Sequence, residues 1–443
     1  AMPGSLPVIN EQAVRLTVMT GLALHGEIPA YSKFDRKNYH YPDLMKGYQI
    51  SQYDLPLVQG GWIEVEVEGE TKRINLTRVH LEEDTARSQH LDNDQGGYSL
   101  IDVNRSCVPL MEIVSEPDMR APEEARAYLI KLRSILRYLG ISNANMEEGN
   151  FRCDANISLR PVGSSEYGSK VEVKNMNSFR AVYRALEFEI GRQTELLDQG
   201  IRIGQETRGW VETDGKTVSQ RSKEFAHDYR YFPEPDLPPL VFTPAQVQEI
   251  RAALPELPEQ RRERFSRDYE LGDYESNLLT ESRERADYFE QAVSSTKHGE
   301  TGRRAKLTAN WVLGDLTRLQ HSSGVEIEQV SVRPAQLSRL LDLVESGAIT
   351  STAAKQVLEV MFAGGREPED VVRELGLAAI SGGDELSATA ERVLAANGKA
   401  VADYCRGKTE VLKFLVGQFM RETKGRADPE QARTLLAERI HCR

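Results

Sequence analysis

The chain lacks most of the features that would place it quickly. No stretch of its 443 residues approaches the ~18 consecutive apolar residues of a membrane span, so no membrane partner is expected. There are four cysteines, Cys107, Cys153, Cys405 and Cys442. They lie far apart, form no CxxC pair and are too few for a disulfide scaffold in a chain of this length, so a reducing cytoplasm is the default expectation. The Ala1-Met2-Pro3-Gly4 start has no charged region followed by an apolar one, which excludes a secretory signal there. The segment from Pro3 already reads as mid-domain sequence, so residues upstream of it are expected. P-loop, GxGxxG, HExxH and GxSxG motifs are all missing, as are internal repeats and low-complexity tracts. Positive charge is in deficit: 56 Lys and Arg against 68 Asp and Glu, a net −12. That excludes a uniformly basic nucleic-acid coat and leaves room for a local basic patch.

What is present is the composition of a globular protein, 40% hydrophobic and 28% charged. At roughly 100–200 residues per domain, the length implies two to four domains. Up to about residue 243 the pattern is α+β. Residues 11–25 predict a short apolar helix. After Gly60-Gly61, Ile63, Val65 and Val67 alternate with Glu64, Glu66 and Glu68, as in a half-buried strand. Ile74 and Leu76 continue on the return strand, then the phase slips to Val79 and Leu81, which predicts a bulge near Thr77-Arg78. Residues 99–114 are strand-like. Pro122, Glu123 and Glu124 open a helix that Gly140 stops. In Phe151–Arg160, Phe151, Cys153, Ala155, Ile157 and Leu159 share one face, and Arg152, Asp154, Asn156, Ser158 and Arg160 the other. Lys170–Lys174 is a strand, Ser178–Leu197 a helix, and Trp210–Arg221 a hairpin about Asp214-Gly215. Pro233, Pro235, Pro238 and Pro239 then mark a rigid connector. Beyond residue 244 the strand signal disappears. Short helices are expected at Leu337–Val344, Thr352–Phe362, 387–396 and Val411–Arg421, punctuated by Gly364-Gly365 and Gly382-Gly383.

The α+β part is dense in carboxylates: Glu82, Glu83, Asp84, Glu112, Glu116, Asp118, Glu147, Glu148 and Asp154. A hard divalent cation takes oxygen ligands, and magnesium usually binds one or two carboxylates together with phosphate and water. A solvated acidic surface is the plainer reading of each one alone. The Arg152/Asp154/Asn156 face is more pointed, because it sets a cation, an anion and an amide side by side. Lys33-Phe34-Asp35-Arg36-Lys37-Asn38-Tyr39 is basic and aromatic, suited to phosphate or a nucleotide at an acceptor end, or simply to a surface loop. His80 reads as a hydrogen-bonded structural histidine and Cys153 as a buried one. Between residues 405 and 433, seven basic residues face four acidic ones. Basic helix ends of this kind suit an RNA backbone, and a charge-balanced helix face is the plainer alternative.

Longer strings carry more. Phe34–Tyr39 through Tyr41-Pro42-Asp43, Gly47–Gln52, His80–Asp84, Pro109–Asp118, Met146–Ser158, Val171–Phe179, Asp228–Leu240, and Phe414–Gln418 with Lys424-Gly425 together resemble the B-subunit family of aspartyl/glutamyl-tRNA amidotransferases (GatB), over essentially the whole chain. The resemblance implies an α+β cradle with a mixed or antiparallel sheet (1–243), a helical domain (244–364) and a small all-α YqeY-like tail that touches tRNA (365–443). It implies ATP and magnesium as cofactors, and phosphorylation of the side-chain carboxylate of Glu-tRNA(Gln) or Asp-tRNA(Asn). Ammonia from a partner amidase (the glutaminase, or A, component) would then displace the phosphate, with a small C component tethering the two. By resemblance Glu83, Glu116 and Asp154 are metal ligands, with Glu82 either behind them or on a second metal. Lys37 guides ammonia or neutralises charge at the acyl phosphate. Arg152, Asn156 and Lys174 serve nucleotide or acyl phosphate, and Lys413, Arg421, Lys424 and Arg426 serve tRNA. The family opens with a strand bearing a Glu-x-His pair ahead of its Pro-Gly-x-Leu-Pro-Val, and this chain begins near that point. A non-catalytic tRNA-binding scaffold and a small-molecule ATP-dependent ligase are the rival classes. The inserted synthetase-like domain of the archaeal GatE relative has no room here.

Overall fold

A computed structural model describes residues 6–91, 97–222, 229–295, 300–380 and 383–442. Ala1–Gly4, Asp228 and Gly382, used in the sequence reading, lie outside them. The chain forms two compact units, residues 1–257 and 258–443.

Among the described residues, the first unit holds every strand. They run β1 (Tyr31–Ser32), β2 (Asp35–Asn38), β3 (Tyr48–Ser51), β4 (Val58–Gln59), β5 (Trp62–Val67), β6 (Glu70–Glu83), β7 (Arg87–Leu91), β8 (Tyr98–Asp102), β9 (Pro109–Ser115), β10 (Ala155–Ile157), β11 (Val171–Lys174), β12 (Glu206–Val211), β13 (Lys216–Ser222), β14 (Phe232–Pro233) and β15 (Leu240–Val241). The helices are α1 (Glu11–Ala23), α2 (Pro122–Tyr138), α3 (Phe179–Asp198) and α4 (Pro244–Ala252).

Strand β6 organises this unit. Its first half pairs antiparallel with β5, from Val67↔Glu70 to Trp62↔Asn75. Its second half pairs with β9, from Leu76↔Ser115 to Glu83↔Pro109, and the register shifts between Leu76 and Arg78. The expected bulge is there. It keeps Ile74, Leu76, Val79 and Leu81 all in the core despite their change of phase. A strand face usually alternates between core and water. Here the opposite face of the second half, His80 and Glu82, is buried too. The β2–β3 hairpin covers it: Gln49 Nε2 donates to the Glu83 carbonyl at 2.7 Å, and the Leu81 amide donates to Gln52 Oε1 at 3.1 Å.

Several expectations need correction. Residues 99–114 are two strands, β8 and β9, separated by a turn. Phe151–Arg160 keeps its alternation, with Phe151, Cys153, Ala155 and Ile157 against the core and Arg152, Asp154 and Asn156 exposed. Only Ala155–Ile157 joins a ladder, because its partner β11 pairs there over just Val171–Val173. The proline-rich segment, expected as a rigid connector, is itself paired into the sheets. Phe232–Pro233 pairs with β2 at a sheet edge, where a missing N–H is tolerated, and Leu240–Val241 pairs with β1. The carboxylate of Glu234, 3% exposed, takes Arg36 through Nε at 2.7 Å and Nη2 at 2.8 Å.

The second unit is helical: α5 (Pro258–Asp268), α6 (Asp273–Leu279), α7 (Arg283–Ser294), α8 (Thr301–Trp311), a π turn at Val312–Leu316, α9 (Thr317–Ser323), α10 (Pro334–Glu345), α11 (Ser351–Gly364), α12 (Pro368–Leu375), α13 (Gly383–Ala396), α14 (Gly398–Cys405), α15 (Val411–Glu422) and α16 (Pro429–Arg439). Sequence periodicity missed α12, α14 and α16, which are short or weakly amphipathic. One core gathers Phe265, Phe289, Leu340 and Leu358, and another gathers Val393, Leu415, Phe419 and Leu436. They meet where Thr350 Oγ1 donates to the Gly425 carbonyl. Gly425 is required there: its φ is +74°, and a Cβ would lie 2.9 Å from Thr352 Cγ2. Cys405 and Cys442 form a disulfide. Their spacing of 37 residues gave no sign of it, because only the packing of α13–α16 brings the ends of α14 and α16 together.

The sharpest test of the first unit lies at Glu189, fully buried on α3. Its carboxylate receives Arg192 (2.8 and 3.0 Å), Gln193 (2.9 Å), the Thr217 hydroxyl and Arg208 (3.1 Å), which fastens the β12–β13 hairpin to the helix. Burial by itself pushes this carboxyl up. The bonds from Arg192, Thr217 and Gln193 outweigh it and hold the group below the ordinary range. Glu189→Ala should cost about 1–3 kcal/mol in urea unfolding at neutral pH, since it removes the buried acceptor shared by Arg192 and Arg208 and leaves them Glu206 and Thr217 alone. A depressed folded pKa adds stability above the unfolded value of about 4.3 and loses it as pH falls through the folded one. The gap between wild type and variant should therefore shrink below about pH 4. A gap independent of pH would show that packing alone holds the site.

Candidate active site

The end of β6 places ionisable side chains on a face that the β2–β3 hairpin has closed to water. His80 stands directly opposite Glu112 of β9 in the ladder. His80 Nε2 lies 3.4 Å from Glu112 Oε2 and 3.6 Å from Glu82 Oε2. The Ser51 hydroxyl donates to Glu82 Oε2 at 3.1 Å, and Lys37 Nζ stands 4.0 Å from the same oxygen. His80 and Glu82 are buried, whereas the Glu112 side chain is 46% exposed and opens the group to solvent. Burial pushes Glu82 up. The His80 hydrogen bond, the Lys37 charge and the Ser51 hydroxyl more than offset this and leave it below the ordinary carboxylate range.

One ligand atom each from His80, Glu82 and Glu112 falls within 4.8 Å of the others, the one such group among the described residues. Two carboxylates fit a hard divalent cation that keeps water or phosphate as its other ligands. Arg78 Nε donates to His80 Nδ1 at 3.3 Å, so this network puts the imidazole proton on Nε2, facing the carboxylates. In this arrangement His80 orients Glu82 and Glu112. It ligates through Nε2 only if Arg78 releases Nδ1.

The next two acids are answered separately. Glu83 Oε1 accepts from the Ile50 amide at 2.9 Å and pairs with Lys46. Asp84 accepts from Arg105 at 3.0 Å and from Arg152 at 2.8 Å. Of the residues that the sequence nominated as ligands, Glu82 belongs to the group and Glu83 adjoins it on Lys46. Glu116 lies beside the bulge and accepts from Thr77 at 2.8 Å. Asp154 is on the other sheet, 2.8 Å from Lys174 Nζ, and Lys174 also reaches Glu172 at 3.4 Å. Burial lowers the Lys174 ammonium and the two carboxylates more than restore it, so it stays charged. Asn156 is exposed, opposite Glu172 in that ladder. Arg152 is thus joined to the buried acids through Asp84, and Lys37 through Glu82. Sequence reasoning gave no site role to His80, Glu112, Lys46 or Ser51. The two-residue spacing of His80 and Glu82 did contain a signal, since on a strand it puts both on one face.

Tyrosines wall the group. Lys37 Nζ is 5.1 Å from the Tyr229 ring centroid and 5.9 Å from that of Tyr39. Burial, and then the charge of Glu82, push the Tyr39 and Tyr231 hydroxyls up, so both remain protonated donors. A concavity of about 500 Å³ on α3, lined by residues including Arg184, Phe188, Arg192 and Trp210, shares no residue with this site.

In the tail, Lys413 and Arg421 are exposed on α15, with Lys413 2.7 Å from Glu410. Lys424 follows at φ 52°, exposed, and Arg426 reaches Glu385 at 3.5 Å.

Residues 1–248 match the family model described as the GatB/GatE catalytic domain, and residues 287–440 match the one described as the GatB domain. The chain is 56% identical over 444 residues to the aspartyl/glutamyl-tRNA(Asn/Gln) amidotransferase B subunit of Dehalococcoides mccartyi, covering 99% of this chain and 90% of the relative. The proteins of the same name from Carboxydothermus hydrogenoformans and Thermomicrobium roseum are 52% and 54% identical at the same coverages.

The carboxylate group predicts a divalent-cation site with a defined ligand set. Mn²⁺ should raise the thermal midpoint of the wild-type chain. Glu112→Gln should weaken its binding by roughly 10-fold or more, at least what loss of an outer-shell partner costs. Asp154→Asn should leave it unchanged, because Asp154 is already satisfied by Lys174. An undiminished Mn²⁺ response in Glu112→Gln would remove that residue from the site.

Proposed function

This chain belongs to the GatB family of tRNA-dependent amidotransferase subunits, and on that premise we propose that it activates and amidates the side-chain carboxylate of Glu-tRNA(Gln) or Asp-tRNA(Asn). The observation that carries the reading is the Glu82/Glu112/His80 group with Lys37 at 4.0 Å, half enclosed and half open. A carboxylate is a poor electrophile. Its oxygen must first attack the γ-phosphorus of ATP, releasing ADP and leaving an acyl phosphate. Ammonia then attacks the acyl carbon, phosphate leaves and a proton is lost. Both steps gather negative charge on oxygens, and what they need from a protein is alignment and neutralisation.

Each group has a place in this scheme. Glu82 and Glu112 are the side chains to hold magnesium, which when bound would neutralise phosphate charge. His80 fixes their orientation. Lys37 presents its ammonium to the same space between two tyrosine rings, and a charge held in a low-dielectric wall acts strongly on a developing anion. Arg152, anchored by Asp84, and Lys174, anchored by Asp154, are the proposed contacts for nucleotide phosphates, with Asn156 beside them. Ammonia would come from a partner glutaminase, with a small third protein holding the assembly together. The tail, residues 365–443, would take the tRNA backbone through Lys413, Arg421, Lys424 and Arg426.

Reconstitution with the partner proteins tests the chemistry. Lys37→Ala should lower amide formation roughly 10²–10³-fold, the usual cost of one preorganised electrostatic interaction, while tRNA affinity holds. Wild-type amidation by that variant would leave Lys37 a structural residue. The tail is tested separately. Arg421→Glu with Lys424→Glu in the full chain should weaken tRNA binding. The slope of log affinity against log salt should fall by roughly 0.7–0.9 for each phosphate no longer neutralised. An unchanged salt slope would exclude the tail from the interface.

A further inference from the structure

One feature beside the carboxylate group is left unused by that scheme. Tyr53 and Tyr231 stack face to face, with centroids 4.4 Å apart and planes 11° from parallel. Tyr231 adjoins the site: its ring centroid is 6.0 Å from that of Tyr229, which in turn lies 5.1 Å from Lys37 Nζ. The next residue, Phe232, is paired with Arg36 in the β14–β2 ladder, which fixes the segment. Tyr53 is the outer ring and is 55% exposed.

Exposure of this degree normally goes with a mobile side chain. The backbone at Tyr53 is instead held from below, and its ring by the stack on Tyr231. The Tyr53 amide donates at 3.0 Å to Asp35 Oδ2, and Asp35 is buried and gripped by Lys33, which also holds the neighbouring Asp54 at 2.6 Å. A comparison within the molecule sharpens the point. Trp62 is covered on both faces, by the His25 ring at 3.7 Å and the Arg73 guanidinium at 4.0 Å. Tyr53 has Tyr231 on one face and, among the described residues, no ring or cation on the other. An aromatic ring already stacked on one face, and with no described ring or cation on the other, loses little freedom when a third ring joins the stack.

We propose that Tyr53, backed by Tyr231, is the stacking platform for an adenine ring. The inference rests on the function proposed above and adds to it a base-binding subsite. Adenosine reaches such a site from two sources, ATP itself or the 3′-terminal nucleotide of the acceptor strand. Stacking recognises the π-face that both share.

Three forms of the full chain decide it: wild type, Tyr53→Leu and Tyr53→Trp. Two affinities are measured for each, for ATP with magnesium, and for an uncharged tRNA ending in CCA against the same tRNA lacking its terminal adenosine. Loss of one aromatic–base stack should raise the dissociation constant roughly 5- to 100-fold. If the ring belongs to ATP, Tyr53→Leu loses ATP affinity and keeps the wild-type ratio between the two tRNAs. If it belongs to the acceptor end, ATP affinity holds and that ratio collapses towards one. In either case Tyr53→Trp should restore wild-type values. Both affinities unchanged in Tyr53→Leu would overturn the proposal, and so would equal losses in the Leu and Trp variants, which would make the residue a loop anchor. A wild-type chain that binds neither ATP nor tRNA would overturn the parent function as well, so the two failures are distinct.

Discussion

Three consecutive carboxylates at the end of β6, Glu82, Glu83 and Asp84, are each no more than 9% exposed. A buried carboxylate costs several kcal/mol unless it is paired and hydrogen-bonded. The architecture around β6 follows from how each charge is answered. Glu82 is met by Ser51, His80 and Lys37, Glu83 by the Ile50 amide and Lys46, and Asp84 by Arg105 and Arg152. Apart from His80 of β6 itself, these partners come from β2, β3, the loop between them, the turn before β9 and the extended segment before β10. The elements that make the first unit compact are therefore the ones that make its site, and a fold holding these acids must bring cations to one place.

The bulge between Leu76 and Arg78 is what makes this possible. Without the extra residue, the phase set by Ile74 and Leu76 would carry His80 and Glu82 to the core face, among aliphatic side chains that offer no hydrogen bond. With it, Val79 and Leu81 take the core and the polar pair turns towards the hairpin. The same hairpin leads into Tyr53, and β14, paired to β2, follows Tyr229 and Tyr231, so acids, ammonium and rings converge through one set of pairings.

The helical unit handles charge differently. Arg304, 2% exposed, is shared by Asp342, Glu345 and Ser338 in its interior, and Arg261 by Asp287 and Glu290. These pairs tie α8 to α10 and α5 to α7. In the tail, exposed pairs such as Lys413 with Glu410 contribute little to stability and remain available to exchange partners. The net −12 of the chain is thus compatible with a local basic surface on α15 and the turn after it.

Local pattern was enough for much of this. The alternation of β5 and β6, the slip near Thr77, the Ser178-capped helix α3 and the Asp214-Gly215 turn all rest on periods and turn chemistry confined to a few residues. The long strings that carry the family resemblance are equally local. The grouping of His80, Glu82 and Glu112 was not legible, although all three were in view. A two-residue spacing says which side chains share a face, but not which strand lies opposite. His80 meets Glu112 only through a register across more than thirty residues, and Glu116, four residues further on, ends up on Thr77 instead. Likewise the clean alternation around Asp154 gave no hint that β11 would set Lys174 2.8 Å from it. Tyr53 and Tyr231 meet through the β14–β2 pairing, and Cys405 meets Cys442 through helix packing. Sequence set the faces of each element, because that depends on backbone geometry repeated residue by residue. Packing chose which faces meet, because that depends on burial and register summed over the whole unit.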